Sequence, residues 1–418
     1  MYPINVLVSA YACGPNWGSE VGMGWSWVIN LSQHCQLYVL TEKGFQEEIE
    51  TEIRKLNLLY PPIFYYLDIG EEGRRLFWKQ GSLLFYSHYR KWQKAAYLQS
   101  REIINSNEIQ LVHQLNLIGF REPGYLWKWS DRIPFFWGPV GGFNQVPLNY
   151  ILQFDTKNKI FYLGKNLIHH LQVYLHLRVR KALKRATVIL AESSSTRNII
   201  KKVYNIDSIL MNETGADFDD FYEHTSFCRN NSLKLLWVGK IQGLKGLPIA
   251  IKTLKLLQGK IPVNMTVVGD GPDDLACRQL SERIGTNGMI TFLGKKPNKE
   301  VKDMMRTHDL LFFTSLKEGT PHVVLEALAN GLPVLCHDAC GHGDIINSAI
   351  GVKIPMKSYD KSIKLFSEKI DFLYNNQNKL YDFSKNAREA VEINSWRNKA
   401  KQLTKIYRNV IFNNVNKQ

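Results

Sequence analysis

Short, mostly uncharged apolar runs recur along this chain, separated by longer stretches in which apolar positions return every three or four residues. The runs read as strands buried on both faces, and the longer stretches read as helices. In the first half the strand signals are Ile4–Ser9, Gln36–Leu40, Ile109–Leu115, Ile133–Trp137 and Thr187–Ala191, and Trp25–Ser32 reads as a helix. Residues 42–107 read as helical or irregular; they are rich in charge and hold an aromatic stretch around Phe77–Trp92. The polar segment Glu223–Ser232 reads as an interdomain linker, and the pattern restarts at Leu233–Val238. Strands at Asn264–Val268, Met289–Leu293, Leu310–Phe313 and Pro333–Leu335 then alternate with helices, and Trp396–Ile411 is a last helix. Alternation in both halves predicts two doubly wound, Rossmann-like α/β domains.

The start of one helix carries the densest candidate chemistry. In Glu318-Gly-Thr-Pro-His-Val-Val-Leu-Glu326, Thr320 suits an N-cap, and Pro321 suits the first helical position, whose N–H would be unpaired anyway. Val323, Val324, Leu325, Ala327 and Leu328 carry the helix, and Gly331 followed by Pro333 stops it. Glu318 therefore stands just before the helix, and Glu326 lies more than a turn inside it, about 8–9 Å along the axis. Between them is a positive helix end, a natural seat for phosphate. The layout suits a ligand with phosphate in its middle and hydroxyls at both ends, such as a nucleotide diphosphate sugar. The plainer reading is two solvated carboxylates. Against it, apolar residues flank Glu326, and a carboxylate there is costly unless paired.

Lys240 and Lys245 follow the Leu233–Val238 strand, at the edge where open α/β sheets bind ligands. Two ammonium groups there can neutralise a diphosphate as charge develops on it, although in so basic a chain they can also be ordinary surface lysines. The loop Gly14–Gly24 holds four glycines, Gly18 among them, with Ser19 and Glu20. Glycine lets backbone approach a ligand closely. The loop is not Gly-x-Gly-x-x-Gly, and no acidic residue ends the second strand in the expected way, which argues against a dehydrogenase. His113 lies at a strand end before Asn116 and Gly119; a lone strand histidine is usually structural. His322 shares a helix face with Glu326 four residues on. Cys336, His337, Cys340 and His342 cluster in sequence, but no second pair with short spacing exists, so no metal site is predicted.

Several of these stretches together resemble one family. Glu318-x7-Glu326, running on into Ala327-Leu-Ala-Asn-Gly331-Leu-Pro-Val334, looks like the signature of the retaining glycosyltransferases called family 4. Lys234-Leu-Leu-Trp-Val-Gly-Lys240 with Lys245-Gly246, Val267-Val-Gly-Asp-Gly-Pro272 and Ile290-Thr-Phe-Leu-Gly294 resemble its successive strand ends. Cys13-Gly-Pro-Asn-Trp-Gly-Ser-Glu20 and Gly138-Pro-Val-Gly-Gly142 resemble a subgroup of it. The resemblance covers nearly the whole chain and is stronger in the C-terminal half. It implies two Rossmann-like domains facing across a cleft, the GT-B arrangement. The first would be residues 1–222, with the helix 396–418 crossing back to it, and would hold the acceptor. The second would be residues 223–395 and would hold the donor.

The resemblance also implies roles. Glu318 would hold the sugar hydroxyls and support charge near the anomeric carbon, and Glu326 would accept the ribose hydroxyl protons. Lys240, Lys245 and the helix start at Thr320, Pro321 and His322 would hold the diphosphate. His113 would face the donor sugar, and Gly18 would lie beside the donor. The family more often has Arg at the first lysine position; Lys cannot make the bidentate fork. His322 stands where the family often has an aromatic or small residue, which leaves its role open. The reaction implied is sugar transfer to a hydroxyl acceptor in surface polysaccharide or glycolipid synthesis, with no cofactor or required metal. Its rivals are a nucleotide-sugar-binding regulator without transferase activity and another GT-B reaction, such as a phosphorylase or an epimerase.

Composition bears on partners. The 418 residues carry a formal charge of +15, which attracts nucleic acid, anionic lipid or phosphorylated substrates. No nucleic-acid module with aromatic residues among basic ones is recognisable. Residues 169–185 combine basic positions with Leu171, Leu175, Leu177, Val179 and Leu183, which partly follow a helical period. That fits either a membrane-surface helix or an ordinary helix with a solvated basic side. The uncharged stretch 133–154 contains Pro134, Pro139 and Pro147, which argues against a spanning helix. The start Ile4–Ala12 lacks a basic n-region and reads as a strand rather than a secretory signal. Six scattered cysteines suit a reducing cytoplasm. The expectation is a cytoplasmic protein working at the inner membrane face on a lipid-linked glycan.

Overall fold

The computed structural model describes residues 3–77, 82–117, 119–217, 221–224, 227–228, 231–319 and 321–415. The chain divides into two compact units, Met1–Phe143 with Leu171–Gly215 and Trp396–Gln418, and Asn144–His170 with Ala216–Ser395. Both are the Rossmann-like parallel α/β units expected from the alternating pattern.

The first unit holds a sheet of seven strands: β1 Ile4–Ala10, β2 Cys35–Glu42, β3 Ile63–Leu67, β4 Leu111–Asn116, β5 Phe135–Val140, β6 Val188–Ala191 and β7 Ile209–Leu210. Their order is β3-β2-β1-β4-β5-β6-β7, with every pairing parallel. The second unit holds six: β8 Leu233–Val238, β9 Val263–Val268, β10 Ile290–Gly294, β11 Leu310–Phe313, β12 Val334–His337 and β13 Gly351–Ile354. Their order is β10-β9-β8-β11-β12-β13, again all parallel. Among the described residues no helix is long and apolar enough to cross a membrane.

Three strands, β3, β7 and β13, escape the sequence pattern. Each is the outermost or a very short strand of its sheet. Along β3 no residue is fully buried, so its apolar and aromatic residues lack the uncharged, two-sided context of the central strands. The first helix, Ser19–Leu31, begins six residues before the expected Trp25 and takes in half of the glycine-rich loop. A Cβ on Gly24 would lie 2.1 Å from the Ala12 carbonyl oxygen, so this glycine serves the packing of that helix on the end of β1.

The boundaries differ from the expected 1–222 and 223–395 in one substantial way, because residues 144–170 cluster with the second unit. The reason is local. The Tyr150 hydroxyl bonds Ser362 Oγ at 2.6 Å, Asn149 Nδ2 donates to the Lys357 carbonyl at 3.2 Å, and Val146, Ile151 and Tyr162 pack with Phe154 and Leu244. Nor is the described part of Glu223–Ser232 a loose linker. The Cys228 N–H donates to the Asp309 carboxylate at 2.9 Å, and His224 is buried.

His113 needs correction as a candidate catalytic residue. It is the third residue of β4 rather than its end, and it is fully buried. Its Nε2 lies 2.6 Å from the Gly138 carbonyl, so Nε2 carries the proton and donates. Nδ1 then accepts from the Tyr407 hydroxyl at 2.5 Å. Both ring nitrogens are taken, and burial pushes the imidazole pKa down to about 4. A neutral, enclosed ring tying β4 to the last helix has no atom to offer a sugar. That helix, Trp396–Val415, packs within the first unit, with Trp396 edge-on to Trp27 at 5.7 Å between ring centroids.

The His113–Tyr407 bond gives a test. Tyr407→Phe leaves Nδ1 buried without a donor, which costs about 1–3 kcal/mol. Urea unfolding followed by circular dichroism should show that loss with an unchanged slope on denaturant. An unchanged midpoint would remove the structural role assigned to His113.

Candidate active site

In the second sheet the chain steps outward from β8 to β9 and β10, then returns to place β11 on the other side of β8. Parallel strands end on a common edge, and such a reversal of order leaves a crevice there, between the loops that follow β8 and β11. Lys245 follows β8 and Glu318 follows β11. Fold topology alone therefore brings together two residues that lie 73 positions apart.

Backbone contacts lock the two loops. Leu316 N–H donates to the Leu244 carbonyl at 2.8 Å, and the Thr314 hydroxyl donates to the Lys245 carbonyl at 2.9 Å. The Trp237 indole donates to the Thr314 oxygen at 3.0 Å. Gly246 follows with φ +67, and a Cβ there would meet the Thr314 carbonyl oxygen at 2.4 Å. Only glycine satisfies both demands. On this frame the Lys245 ammonium pairs with Glu318 Oε1, and both side chains are largely enclosed. Ser315 Oγ donates to the same oxygen at 2.6 Å. The Glu318 N–H points at Cys340 Sγ, 3.5 Å away, and the Gly341 N–H donates to the Gly319 carbonyl at 3.0 Å.

The helix that follows is His322–Ala329, with buried Pro321 in the capping position. It begins one residue later than the sequence suggests, and Thr320 lies outside the described residues. The rise from the helix start to Glu326 is consequently about 6 Å. Glu326 is half-buried beside the apolar face formed by Val324, Leu325, Ala327 and Leu328. Its carboxylate is paired as that setting requires, accepting from Asn298 Nδ2 at 3.2 Å. His322 is half-buried at the helix start. Lys240 is exposed just past β8.

Two side chains that the sequence reading does not single out, Ser315 and Asn298, support this site, and so does Cys340 of the Cys/His run. Small neutral polar residues carry no spacing signature, and Ser315 shares the stretch between the β11 run and Glu318 with a second hydroxyl, Thr314. In the first unit, Gly18 is the residue before the Ser19–Leu31 helix, and a Cβ there would meet nothing within 4 Å. Neither packing nor its φ of −90 requires glycine at that point.

The Cys/His cluster resolves into separate tasks. His337 is buried, with Nε2 3.0 Å from Ser362 Oγ and Nδ1 3.3 Å from the Ser315 carbonyl. Cys340 faces the Glu318 N–H. His342 is buried edge-on to Phe313, and neither of its ring nitrogens has a hydrogen-bond partner. Among the described residues no three of His, Cys, Asp or Glu are grouped to hold a metal ion.

A doubly wound sheet with a lysine–carboxylate pair fixed in its switch-point crevice defines the second unit as an α/β ligand-binding domain. Residues 223–390, within the second unit, match the family described as Glycosyl transferases group 1. Over 228 residues the chain is 28% identical to the provisionally named teichuronic acid biosynthesis glycosyltransferase TuaC of Bacillus subtilis strain 168, a match covering 50% of this chain and 56% of TuaC. Across the curated relatives the match spans 26% to 56% of the relative's own length. The fold is similar to that of a glycosyltransferase from Rickettsia africae ESF-5, with TM-score 0.63 and 14% identity over 98% of this chain and 99% of that one. It is also similar to that of Anabaena HepE in complex with UDP-glucose, with TM-score 0.55 and 15% identity over 96% of this chain and 99% of that one. Each unit has the Rossmann-like parallel α/β fold that the sequence resemblance implies.

His342 sets an acid limit on this unit. Burial, then the nearby His337 and Lys245, push its pKa down to about 3. The unfolded chain takes up a proton below about pH 6.5 and the folded one does not, so stability is lost as pH falls through that window. At pH 5 the loss for one such histidine is about 2 kcal/mol. His342→Leu should shrink the stability difference between pH 7 and pH 5 by about that amount, read from urea midpoints at each pH. An unchanged difference would mean that His342 is protonated in the fold.

Proposed function

We propose that this protein is a retaining glycosyltransferase that moves a sugar from a nucleotide diphosphate sugar to a hydroxyl acceptor. The observation that carries the proposal is the Lys245–Glu318 pair held in the switch-point crevice, beside a helix start that lies between Glu318 and Glu326. The match of residues 223–390 to the Glycosyl transferases group 1 family supports it, and so does the fold similarity to a protein seen bound to UDP-glucose.

On this reading the diphosphate sits against Lys240, Lys245 and the helix start at Pro321 and His322. Its negative charge then meets two ammonium groups and the positive end of the helix dipole. No metal is required for that charge balance. Glu326 accepts the ribose hydroxyl protons, giving up its bond to Asn298. Glu318 holds the sugar hydroxyls and supports charge near the anomeric carbon. Ser315 and Lys245 fix its carboxylate, so it is a preorganised group rather than a mobile one. The donor phosphate itself serves to deprotonate the acceptor. The product belongs to surface polysaccharide or glycolipid synthesis, a reading supported by the similarity to TuaC. The protein works in the cytoplasm, where six buried, unbridged cysteines persist, and at the inner membrane face on a lipid-linked acceptor, drawn there by its charge of +15.

Calorimetry with nucleoside diphosphates and their sugars, followed by product analysis, tests the reading. The anomeric configuration of the product should match that of the donor, and turnover should survive chelation of divalent metal. Lys245→Ala should weaken nucleoside diphosphate binding about tenfold or more, as expected when a hydrogen bond to a charged group is lost, and leave nucleoside binding nearly unchanged. Glu326→Ala should weaken both ligands, whereas Glu318→Ala should lower kcat with little loss of nucleotide affinity. Equal nucleotide affinity in wild type and Glu326→Ala would overturn the ribose role, and donor hydrolysis without transfer to any hydroxyl would overturn the transferase reading.

A further inference from the structure

The helix Thr156–Leu175 is turned inside out for a surface helix. Surface helices ordinarily bury an apolar stripe and show polar residues outward. Here Tyr162 and His169 are buried and Asn166 is half-buried, which marks the inward stripe. Ile160, Phe161, Leu163, Leu167 and Ile168 are all exposed, Ile160 to 68% and Leu167 to 63%. At about 100° per residue these five fall within an arc of roughly 160° opposite the buried stripe. The short helix just before it, Leu148–Ile151, and the residue after that helix add exposed Leu148 and Leu152.

We propose that this outward face is a membrane-docking surface, taking a bilayer that carries anionic lipid. The inference rests on the membrane reading proposed above and moves its seat. The basic helix Leu177–Arg185 offers a smaller apolar surface, because its Val179, Ala182 and Leu183 are buried and Leu177 is its one exposed apolar residue. Arg178 is engaged with Glu122, and Arg185 with Asp131. The charge around the exposed face favours a lipid surface over a second copy of the chain. No acidic residue occurs from Thr156 to Ala191, whereas Lys157, Lys159 and Lys165 accompany the apolar arc. Lys165 Nζ lies over the Phe161 ring, 5.6 Å from its centroid, so a cation sits against the apolar face. Two like-charged copies of this face would repel; anionic headgroups would attract it. A helix lying in the plane of the interface requires an apolar face, flanking cations and too little length or hydrophobicity to span, and all three are present. The inward side is fixed, since Tyr162 packs with Val146 and Ile151 over Leu244, the residue before Lys245. Docking through this helix carries the candidate donor site with it.

Flotation of the full chain with phosphatidylcholine vesicles, with and without phosphatidylglycerol, provides the test. Wild type should float with the anionic vesicles at low salt and be released by high salt. Ile160→Ser/Phe161→Ser/Leu167→Ser/Ile168→Ser should reduce the bound fraction tenfold or more, with an unchanged thermal midpoint because the residues are exposed. A dye on Leu167→Cys should shift to the blue with anionic vesicles only; the native cysteines are buried and should not label. If wild type ignores anionic vesicles at low salt, the membrane reading itself fails. If the fourfold variant floats as well as wild type, the membrane reading stands and this face is the wrong surface. If the fourfold variant instead abolishes a concentration-dependent dimer seen by sedimentation, the face is a self-association surface and the inference is overturned.

Discussion

Everything proposed for the second unit depends on one constraint of parallel sheets. Strands that all run the same way must end on the same edge, and a sheet that grows first to one side and then to the other leaves a gap where the order reverses. In this sheet the gap falls between β8 and β11. No local preference could place a lysine and a glutamate 73 residues apart in one crevice; the topology does it, and the side chains need only reach. The surrounding residues keep that reach short. Gly246 turns the β8 loop back against Thr314, and Thr314 is pinned in turn by Trp237. A larger residue at position 246 would push the two loops apart before it disturbed any charge.

The charges gathered there explain why the site stays polar within an apolar unit. An isolated carboxylate as enclosed as Glu318 would be expensive, but it accepts from both Lys245 and Ser315. The ion pair is thus stable before any ligand arrives, and both partners are held in place. For a group that must meet charge developing in a transition state, that prior ordering is worth more than a strong resting interaction, because no further reorganisation is needed. Glu326 differs. Its carboxylate accepts from a neutral amide, Asn298, which a ligand hydroxyl can replace at small cost.

How much of this was legible follows from what periodicity records. The central strands were readable because burial on both faces leaves uncharged runs, and β8 and β11 lie where the pattern puts them. Strand β3 was missed because it pairs on one side only, among charged residues. Glu318 and Lys245 are legible from their places at strand ends, whereas Ser315 and Asn298 are not, because nothing in their type or spacing announces a contact made through the fold; Cys340 stands out in the sequence, but its contact with the Glu318 N–H does not. His113 misled for a related reason. A histidine near a strand end reads alike whether it faces a ligand or a tyrosine from the last helix, and only the contact with Tyr407 decides between them.

The Thr156–Leu175 helix marks the limit of such reading. Its sequence is apolar almost all round apart from a few lysines and amides, so no single stripe identifies the inward face. The sequence pattern points instead to residues 169–185, which begin inside this helix and run on to where basic residues are dense and an apolar period is visible. The structure divides the apolar positions of that segment, burying Val179 and Leu183 and leaving Leu171, Leu175 and Leu177 exposed. The periodic apolar residues Val179 and Leu183 are used up in packing their own helix, while the earlier helix buries Tyr162 and His169 and is left with its aliphatic side outward. A regular hydrophobic period is good evidence that a helix has found a partner within the fold. Apolar residues in excess of that period indicate that a second surface remains to be covered.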